Sequence, residues 1–205
     1  MAALFLALQK RVEGAFMYTK KIYFSGGSFH ELQEVFSRVQ GVVSTTAGYI
    51  NSEVEAPQYE EVIRGKTGAA MGVEVSFDPK KIDVSMLMDI LFTVTNPYSK
   101  DRQGKCEGPM YRSGVYYDSA EDEPIVDYHM NFIRNRKKVP AATNAALTVN
   151  DPNHDPNGPR QCYAEAMRLK SFHPADEEHQ GYLKRHPELS THIDFALLEE
   201  LGIIK

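Results

Sequence analysis

The sequence lacks several features that mark whole classes of protein. It has no tryptophan and only two cysteines, Cys106 and Cys162, which are too few and too far apart for a disulfide framework. It has no excess of positive charge, since the formal net charge is -5 and acidic and basic residues are mixed along the chain. We therefore expect no nucleic-acid partner, and a reducing, cytoplasmic location is the simplest prediction.

A long hydrophobic run is also missing. Residues 2–8 are apolar, but these seven residues fall well short of the ~20 that a membrane-crossing helix needs. No basic residue precedes them, as it would in a signal peptide. We expect no membrane association, and we interpret residues 1–20 as an N-terminal extension whose short helix docks on the domain or on a partner.

What the chain does contain is enough apolar residues, 42%, to bury the core of one domain. Its most informative stretch runs from Ile22 to Phe36. Residues 22–24 are typical of a short buried strand, and Gly26-Gly27 is typical of a turn. The spacing of the apolar residues that follow predicts an amphipathic helix. Glycines let backbone or ligand approach the turn, and the first N–H groups of the helix face the same space. The stretch therefore predicts a site for an anion or a thiolate.

Periodicity and turn residues predict the remaining elements. The alternation of strands and helices indicates an α+β fold with a split β-α-β, ferredoxin-like arrangement. Strands are predicted at residues 42–50, 71–77, 112–118 and 145–149. Helices are predicted at 58–64, from the N-cap Asp83 to Val94, at 121–138 with Ile125, Tyr128, Phe132 and Ile133 buried, at 174–185 and at 192–205. Residues 98–111 are predicted to form a polar loop, residues 150–160 an exposed insertion, and residues 163–172 either strand or helix.

The motif Gly27-Ser28-Phe29-His30 resembles the active-site entry of the class A peptide methionine sulfoxide reductases, which reads Gly-Cys-Phe-Trp. Further blocks of this family follow in the same order and extend the resemblance over residues 21–185: residues 41–49, 57–62, 65–68, 102–104, 111–113 and 175–183. The resemblance implies the α+β roll of that family, a mixed sheet flanked by helices, over residues 21–190. Residues 191–205 would be a helical tail.

Several positions depart from the family pattern. Ser28 stands where the family has its cysteine nucleophile, and His30 where its tryptophan lines the methyl pocket. Met71 falls on the glutamate that protonates the sulfoxide oxygen, and Cys106 on an aspartate. The tail has no cysteine, whereas the family's tail carries the resolving cysteines.

Three aromatic residues of the family's pocket are retained, namely Phe29, Tyr59 and Tyr111. We therefore predict that the pocket still binds a small molecule, with Met71 and Glu107 added to the candidate binding residues. By periodicity alone Met71 is an ordinary core residue, and its thioether cannot deliver a proton.

Ser28 also has a purely structural interpretation. Together with Glu31 it forms the Ser-x-x-Glu pattern of a helix capping box. Because a hydroxyl cannot form the sulfenic acid that receives the oxygen of a sulfoxide, the family's reductase chemistry is excluded at position 28.

Three functional hypotheses remain open. In the first, Cys106 and His30 form a thiolate–imidazolium pair that, with Ser28, acts on a small substrate. In the second, the protein binds a thioether, a sulfoxide or a methylated group without turnover. In the third, it is a reductase whose nucleophile has moved to Cys106. We expect no cofactor, and no metal, because His30 and Cys106 have no evident third ligand.

Overall fold

The computed structural model describes residues 18–135 and 161–205. Its strands are β1 (Lys20–Ser25), β2 (Val42–Ile50), β3 (Ala70–Phe77), β4 (Arg102–Gln103), β5 (Cys106–Glu107), β6 (Gly114–Tyr117), β7 (Glu165–Arg168) and β8 (Phe172–Pro174). Its α-helices are α1 (Phe29–Ser37), α2 (Tyr59–Ile63), α3 (Val84–Val94), α4 (Glu123–Asn135), α5 (Tyr182–Arg185) and α6 (Phe195–Glu200), with short 3-10 helices at Pro109–Tyr111 and Glu177–His179. The apolar residues 2–8, the strand predicted at 145–149 and the insertion predicted at 150–160 lie outside the described residues.

Six strands form one sheet in the order β7-β6-β1-β3-β2-β8. Strands β1 and β2 both pair antiparallel with β3, so they run parallel to each other with β3 between them, and α1 connects them. This is the split β-α-β arrangement that the sequence predicted. The parallel pairing of β6 with β7 makes the sheet mixed, and the α+β class is confirmed.

The main core lies between the sheet and the helices. Helix α1 contacts β2 and β3 and buries Phe29, Leu32 and Phe36 completely. Alternate residues of β3, such as Met71 and Val73, belong to the same core, because successive side chains of a strand point to opposite faces. Burial of each large apolar side chain contributes about 1.5–3 kcal/mol, so this face holds α1 and its N-terminus firmly in place.

Helix α4 buries a different face from the predicted one. Its buried residues are Val126, Met130 and Ile133. Of the four residues predicted to be buried, only Ile133 is, and Ile125, Tyr128 and Phe132 are 38%, 81% and 62% exposed. Both sets have helical spacing and apolar character, so periodicity could not choose between them. Packing of α4 against α3 and β7 made the choice.

The two predicted C-terminal helices are shorter than expected. Residues 174–185 contain a 3-10 turn and the single-turn helix α5, separated by Gln180 and Gly181. Gly181 has a φ of 58°, a left-handed conformation that favours glycine and interrupts a helix. In the tail only Phe195–Glu200 is helical, and Asp194 caps it by accepting a hydrogen bond from the N–H of Leu197. Among the described residues, no helix has the length and apolar character to span a bilayer.

Candidate functional site

The Gly26-Gly27 turn places the start of α1 directly against the β4–β5 hairpin. A side chain on Gly27 would meet the Cβ atoms of Cys106 and Gln103 at 2.9 Å and that of Tyr111 at 3.3 Å. The glycine is therefore required by close packing, as the sequence suggested. As a result, Cys106 and Tyr111 lie across the turn from Ser28.

Buried Gln103 fixes the hairpin in this position. Its side-chain oxygen accepts a hydrogen bond from the N–H of Asn96 at 2.7 Å, and its nitrogen donates to the Asn96 carbonyl at 3.0 Å. Cys106 and Glu107 follow each other on β5, so their side chains point to opposite sides of the hairpin. Glu107 is exposed, and the structure does not bring it to the side that Cys106 lines, contrary to its place among the predicted binding residues.

Ser28 caps α1 together with Glu31, and the predicted capping box is present. The carboxylate of Glu31 accepts hydrogen bonds from the backbone N–H and from the hydroxyl of Ser28, both at 3.1 Å. The hydroxyl proton of Ser28 is thus held by a carboxylate inside the helix cap.

Glu31 is also bound by the C-terminal segment. Its other carboxylate oxygen accepts the backbone N–H of His192 at 2.9 Å and lies 2.9 Å from the ring Nδ1 of the same histidine. Burial alone would raise the pKa of Glu31, but the hydrogen bonds and charge of His192, with the N–H of Ser28, hold the pKa below its usual value. Sequence reasoning missed His192, because nothing local connects it to a residue 161 positions earlier.

Aromatic rings form a wall beside this cap. The ring centroid of Phe29 lies 6.2 Å from that of Tyr59 and 5.7 Å from that of His179, and Tyr59 and His179 are stacked at 4.3 Å. Burial, followed by Cys106 and Tyr59, raises the pKa of Tyr111 to about 12. Burial also raises the pKa of Tyr59, with Cys106 among the smaller causes. The structure therefore brings Phe29, Tyr59, Tyr111 and Cys106 together.

His179 reaches this wall because Gln180 anchors its segment to β2. The Gln180 side chain accepts the N–H of Ala47 at 2.9 Å and donates to the carbonyls of Ala47 and Ala175 at 2.9 and 2.8 Å. His179 and Gln180 fall within the family block at 175–183, which was the available signal for them, but no local pattern pointed to a role of either residue in the pocket.

The predicted pairing of His30 with Cys106 is not among the contacts recorded for either residue in the described part of the chain. Nε2 of His30 lies 3.2 Å from Nδ1 of His179, and its ring stacks on Tyr182 at 4.3 Å. Burial, followed by the charge of His179, lowers the pKa of His30 to about 4. Burial and the carboxylate of Glu31 raise the pKa of the Cys106 thiol to about 11. An imidazolium–thiolate pair would shift both pKa values in the opposite directions.

Met71 is 1% exposed in the core, as its periodicity predicted. Its carbonyl accepts the N–H of Gly26 at 3.3 Å, which ties β3 to the glycine turn. Within residues 18–135 and 161–205, no three His, Cys, Asp or Glu side chains gather closely enough to hold a metal ion.

Comparison with known proteins gives one consistent family. The family model described as peptide methionine sulfoxide reductase matches residues 20–154. The chain is 35% identical over 172 residues to the peptide methionine sulfoxide reductase MsrA of Pasteurella multocida, covering 84% of this chain and 87% of that protein. It is 32% identical over 176 residues to the MsrA of Mycoplasma genitalium, covering 86% of this chain and 99% of that protein.

The fold is shared with solved structures, among them a methionine sulfoxide reductase A and Mxr1. Methionine sulfoxide reductase A of Corynebacterium diphtheriae superposes with a TM-score of 0.70 at 24% identity, covering 87% of this chain and 80% of that one. Reduced Mxr1 from Saccharomyces cerevisiae gives a TM-score of 0.69 at 23% identity, covering 84% and 88%. The chain belongs to the peptide methionine sulfoxide reductase family.

Proposed function

We propose that this protein binds a methyl sulfoxide or thioether group of a small molecule in its aromatic pocket and does not reduce it at position 28. The observation that carries this proposal is that an aromatic wall and a capped serine lie side by side at the start of α1. The aromatic wall of Phe29, Tyr59 and Tyr111 is kept, while the Ser28 hydroxyl beside it is held by Glu31.

The pocket chemistry suits such a group. Aromatic rings provide apolar faces for a methyl group and for sulfur. The phenol groups of Tyr59 and Tyr111 can donate hydrogen bonds to an oxygen, and their raised pKa values keep both protonated at neutral pH.

The groups that would perform the family's chemistry are replaced. A serine cannot take the oxygen and become a sulfenic acid. The thioether of Met71 carries no proton to donate. These two replacements favour binding over turnover at Ser28.

Cys106 supports a second candidate, a reductase with a relocated nucleophile. The Cβ atoms of Cys106 and Tyr111 both pack against Gly27, which supports a place for the thiol beside the proposed ligand. The sulfoxide oxygen would pass to the Cys106 sulfur, giving a thioether and a sulfenic acid, and two thiols of dithiothreitol would then return the cysteine, releasing water and a disulfide. A pKa of about 11 leaves little thiolate at neutral pH, which makes this the weaker candidate. The first hypothesis, with His30 as partner of Cys106, has no support from the contacts of either residue.

Calorimetry with the N-acetyl methylamide of methionine-S-sulfoxide tests the binding proposal. We expect saturable binding that Tyr59→Phe with Tyr111→Phe weakens about tenfold, since each removed donor is worth roughly 0.5–1.5 kcal/mol. Tyr128→Phe is a matched control, because Tyr128 is 81% exposed on α4. Absence of binding to the unsubstituted protein would overturn the proposal.

A turnover assay with dithiothreitol separates the two candidates. Binding without turnover supports the first candidate. Turnover that Cys106→Ser abolishes and Ser28→Ala leaves unchanged would support the second candidate instead.

A further inference from the structure

Arg112 directly follows the pocket residue Tyr111 and binds three separate segments of the chain with one side chain. Its Nη1 donates to the carbonyl of Pro109 at 2.9 Å, and its Nη2 donates to the carbonyl of Gly68 at 3.0 Å. Its Nε lies 3.0 Å from Oε1 of Glu165. All three nitrogens of the guanidinium are therefore engaged, which its planar fork of donors permits and a lysine could not reproduce.

Two of these contacts fix the segments that carry the tyrosines of the pocket. Pro109 begins the 3-10 helix that ends at Tyr111. Gly68 lies in the loop between β3 and α2, and the first residue of α2 is Tyr59. The guanidinium of Arg112 therefore ties the segment of one phenol to the segment of the other.

The third contact anchors Arg112 to the sheet. The second oxygen of Glu165 accepts the phenol hydroxyl of Tyr116 at 2.6 Å, and Tyr116 is fully buried. The carbonyl of Arg112 in turn accepts the hydroxyl of Ser25 at 2.9 Å, and Ser25 immediately precedes the Gly26-Gly27 turn. Arg112 is thus fastened both to the sheet and to the turn at which α1 begins.

The Arg112 side chain lies outside the main core. That core consists of apolar residues, and backbone pairing joins β6 to β7. The side chains of Arg112 and Glu165 are 17% and 30% exposed, and an ion pair at partly exposed positions contributes little stability. The contacts of Arg112 instead converge on the segments that carry the pocket tyrosines, which indicates a role in the geometry of the pocket.

We propose that Arg112 is a positioning residue of the aromatic pocket. It sets the place of the Tyr111 phenol relative to that of Tyr59, and it acts on a bound ligand only through Tyr111. Glu165 holds the guanidinium in the required orientation. The effect of Arg112 on ligand binding rests on the proposed function, whereas its effect on the Tyr111 ring does not.

Nuclear magnetic resonance of protein that contains isotope-labelled tyrosine tests the place of the ring without any ligand. The signal lost in Tyr111→Phe identifies Tyr111. Arg112→Lys keeps the charge beside Glu165 but offers one nitrogen in place of three, so it should shift the Tyr111 ring signal. Arg168→Lys is the matched control, because Arg168 is an exposed arginine on β7, and it should leave that signal unchanged. An unchanged Tyr111 signal in Arg112→Lys would overturn the proposal.

A double-mutant cycle measured by calorimetry tests whether Arg112 acts through Tyr111. With the N-acetyl methylamide of methionine-S-sulfoxide, Arg112→Lys alone should weaken binding roughly threefold, a loss within the range expected for one displaced hydrogen-bond donor. In the Tyr111→Phe background the same substitution should cost no further affinity, because the phenol that it positions is gone. An equal loss in both backgrounds would overturn the proposal, since Arg112 would then act by another route.

Glu165→Gln provides a second variant in case Arg112→Lys does not fold. It keeps the size of the side chain but weakens its hold on Nε of Arg112, so it should shift the Tyr111 signal by a smaller amount. An unchanged signal in Glu165→Gln would count equally against the proposal. Absence of ligand binding to the unsubstituted protein would overturn the proposed function alone, and the ring signal would still decide whether Arg112 positions Tyr111.

Discussion

Cys106 and Ser28 stand on opposite sides of Gly27, where the family would place an aspartate and the cysteine nucleophile. Only Cys106 has a sulfur atom, but its environment opposes ionisation. It is partly buried, and Glu31 adds negative charge. A raised pKa of the Cys106 thiol beside the aromatic wall fits the proposed binding function better than it fits a nucleophile at this position.

Alkylation of Cys106 by iodoacetamide should be slow at pH 7 and should rise toward an apparent pKa of about 11. Glu31→Gln should lower this apparent pKa, because it removes the nearby negative charge. His30→Gln should leave it unchanged. Mass spectrometry of the labelled peptide across pH measures each profile, with Cys162 as an internal comparison. A reactive thiol at pH 7 that depends on His30 would restore the imidazolium pairing.

Restoring the nucleophile alone should not give an efficient reductase. Ser28→Cys regains the sulfur at the start of α1, but Met71 still provides no proton. Because general acid catalysis contributes about 10²- to 10⁴-fold, Ser28→Cys with Met71→Glu should be faster by that order. Turnover of methionine-S-sulfoxide with dithiothreitol is the measurement, and Ser28→Ala with Met71→Glu is the sulfur-free control. Equal rates for the single and double variants would show that the acid at position 71 is not needed here.

At the scale of elements, the C-terminal segment is fastened to both ends of α1. His192 binds Glu31 in the first turn, while Arg38 after the last turn donates to the carbonyl of Lys205 at 2.6 Å and pairs with Glu199. Ile193, Leu198 and Ile204 are buried between these two points. Residues 191–205, predicted to be a helical tail, thus pack against the domain, and His192 reaches the site.

His192→Ala should destabilise the protein by roughly 1–3 kcal/mol, because it removes the imidazole that lies 2.9 Å from the buried carboxylate of Glu31 and leaves that oxygen with only a backbone donor. Arg38→Ala should cost only about 0–1 kcal/mol, since that ion pair is more exposed. His186→Ala is the matched control, because the side chains of His186 and of its ion-pair partner Glu188 are 43% and 68% exposed. Urea unfolding measures all three. An effect of His192→Ala no larger than that of His186→Ala would contradict a structural role for the buried pair.

At the scale of the whole molecule, His30 should make stability depend on pH in mildly acidic solution. Its folded pKa of about 4 lies below the ordinary value of 6.5, so the unfolded chain takes up a proton first. The contribution of His30 is fully present above pH 6.5 and is lost as the pH falls toward 4. The stabilising contribution of Glu31, whose folded pKa is also lowered, is lost only below its ordinary value of 4.5.

The free energy of unfolding measured by urea between pH 4 and 8 should therefore have a smaller slope in His30→Gln between pH 4 and 6.5 than in the unsubstituted protein. Identical slopes in His30→Gln and the unsubstituted protein would mean that His30 is not held neutral by its surroundings.

The parts of this structure that depend on residues close to each other in the sequence could be predicted from the sequence. Strand β2 has its predicted bounds, and Asp83 caps α3 by accepting the N–H of Met86 at 2.8 Å. Local geometry and periodicity suffice for such features. The grouping of Phe29, Tyr59 and Tyr111 could also be predicted, but only through the resemblance to a family.

Tertiary packing determined which apolar face of α4 is buried and which polar groups meet in the site, because periodicity could not answer either question. The two apolar stripes of α4 have the same spacing, and only contact with α3 and β7 selects the buried one. His30 meets His179 and Glu31 meets His192 across 149 and 161 residues, so local sequence patterns could not predict the partners. The sequence by itself determined the fold and the absence of a sulfur atom at position 28, because these follow from local pattern and side-chain type. Which polar groups share the site, and hence their pKa values, depended on the tertiary structure, because burial and long-range contact set the electrostatics.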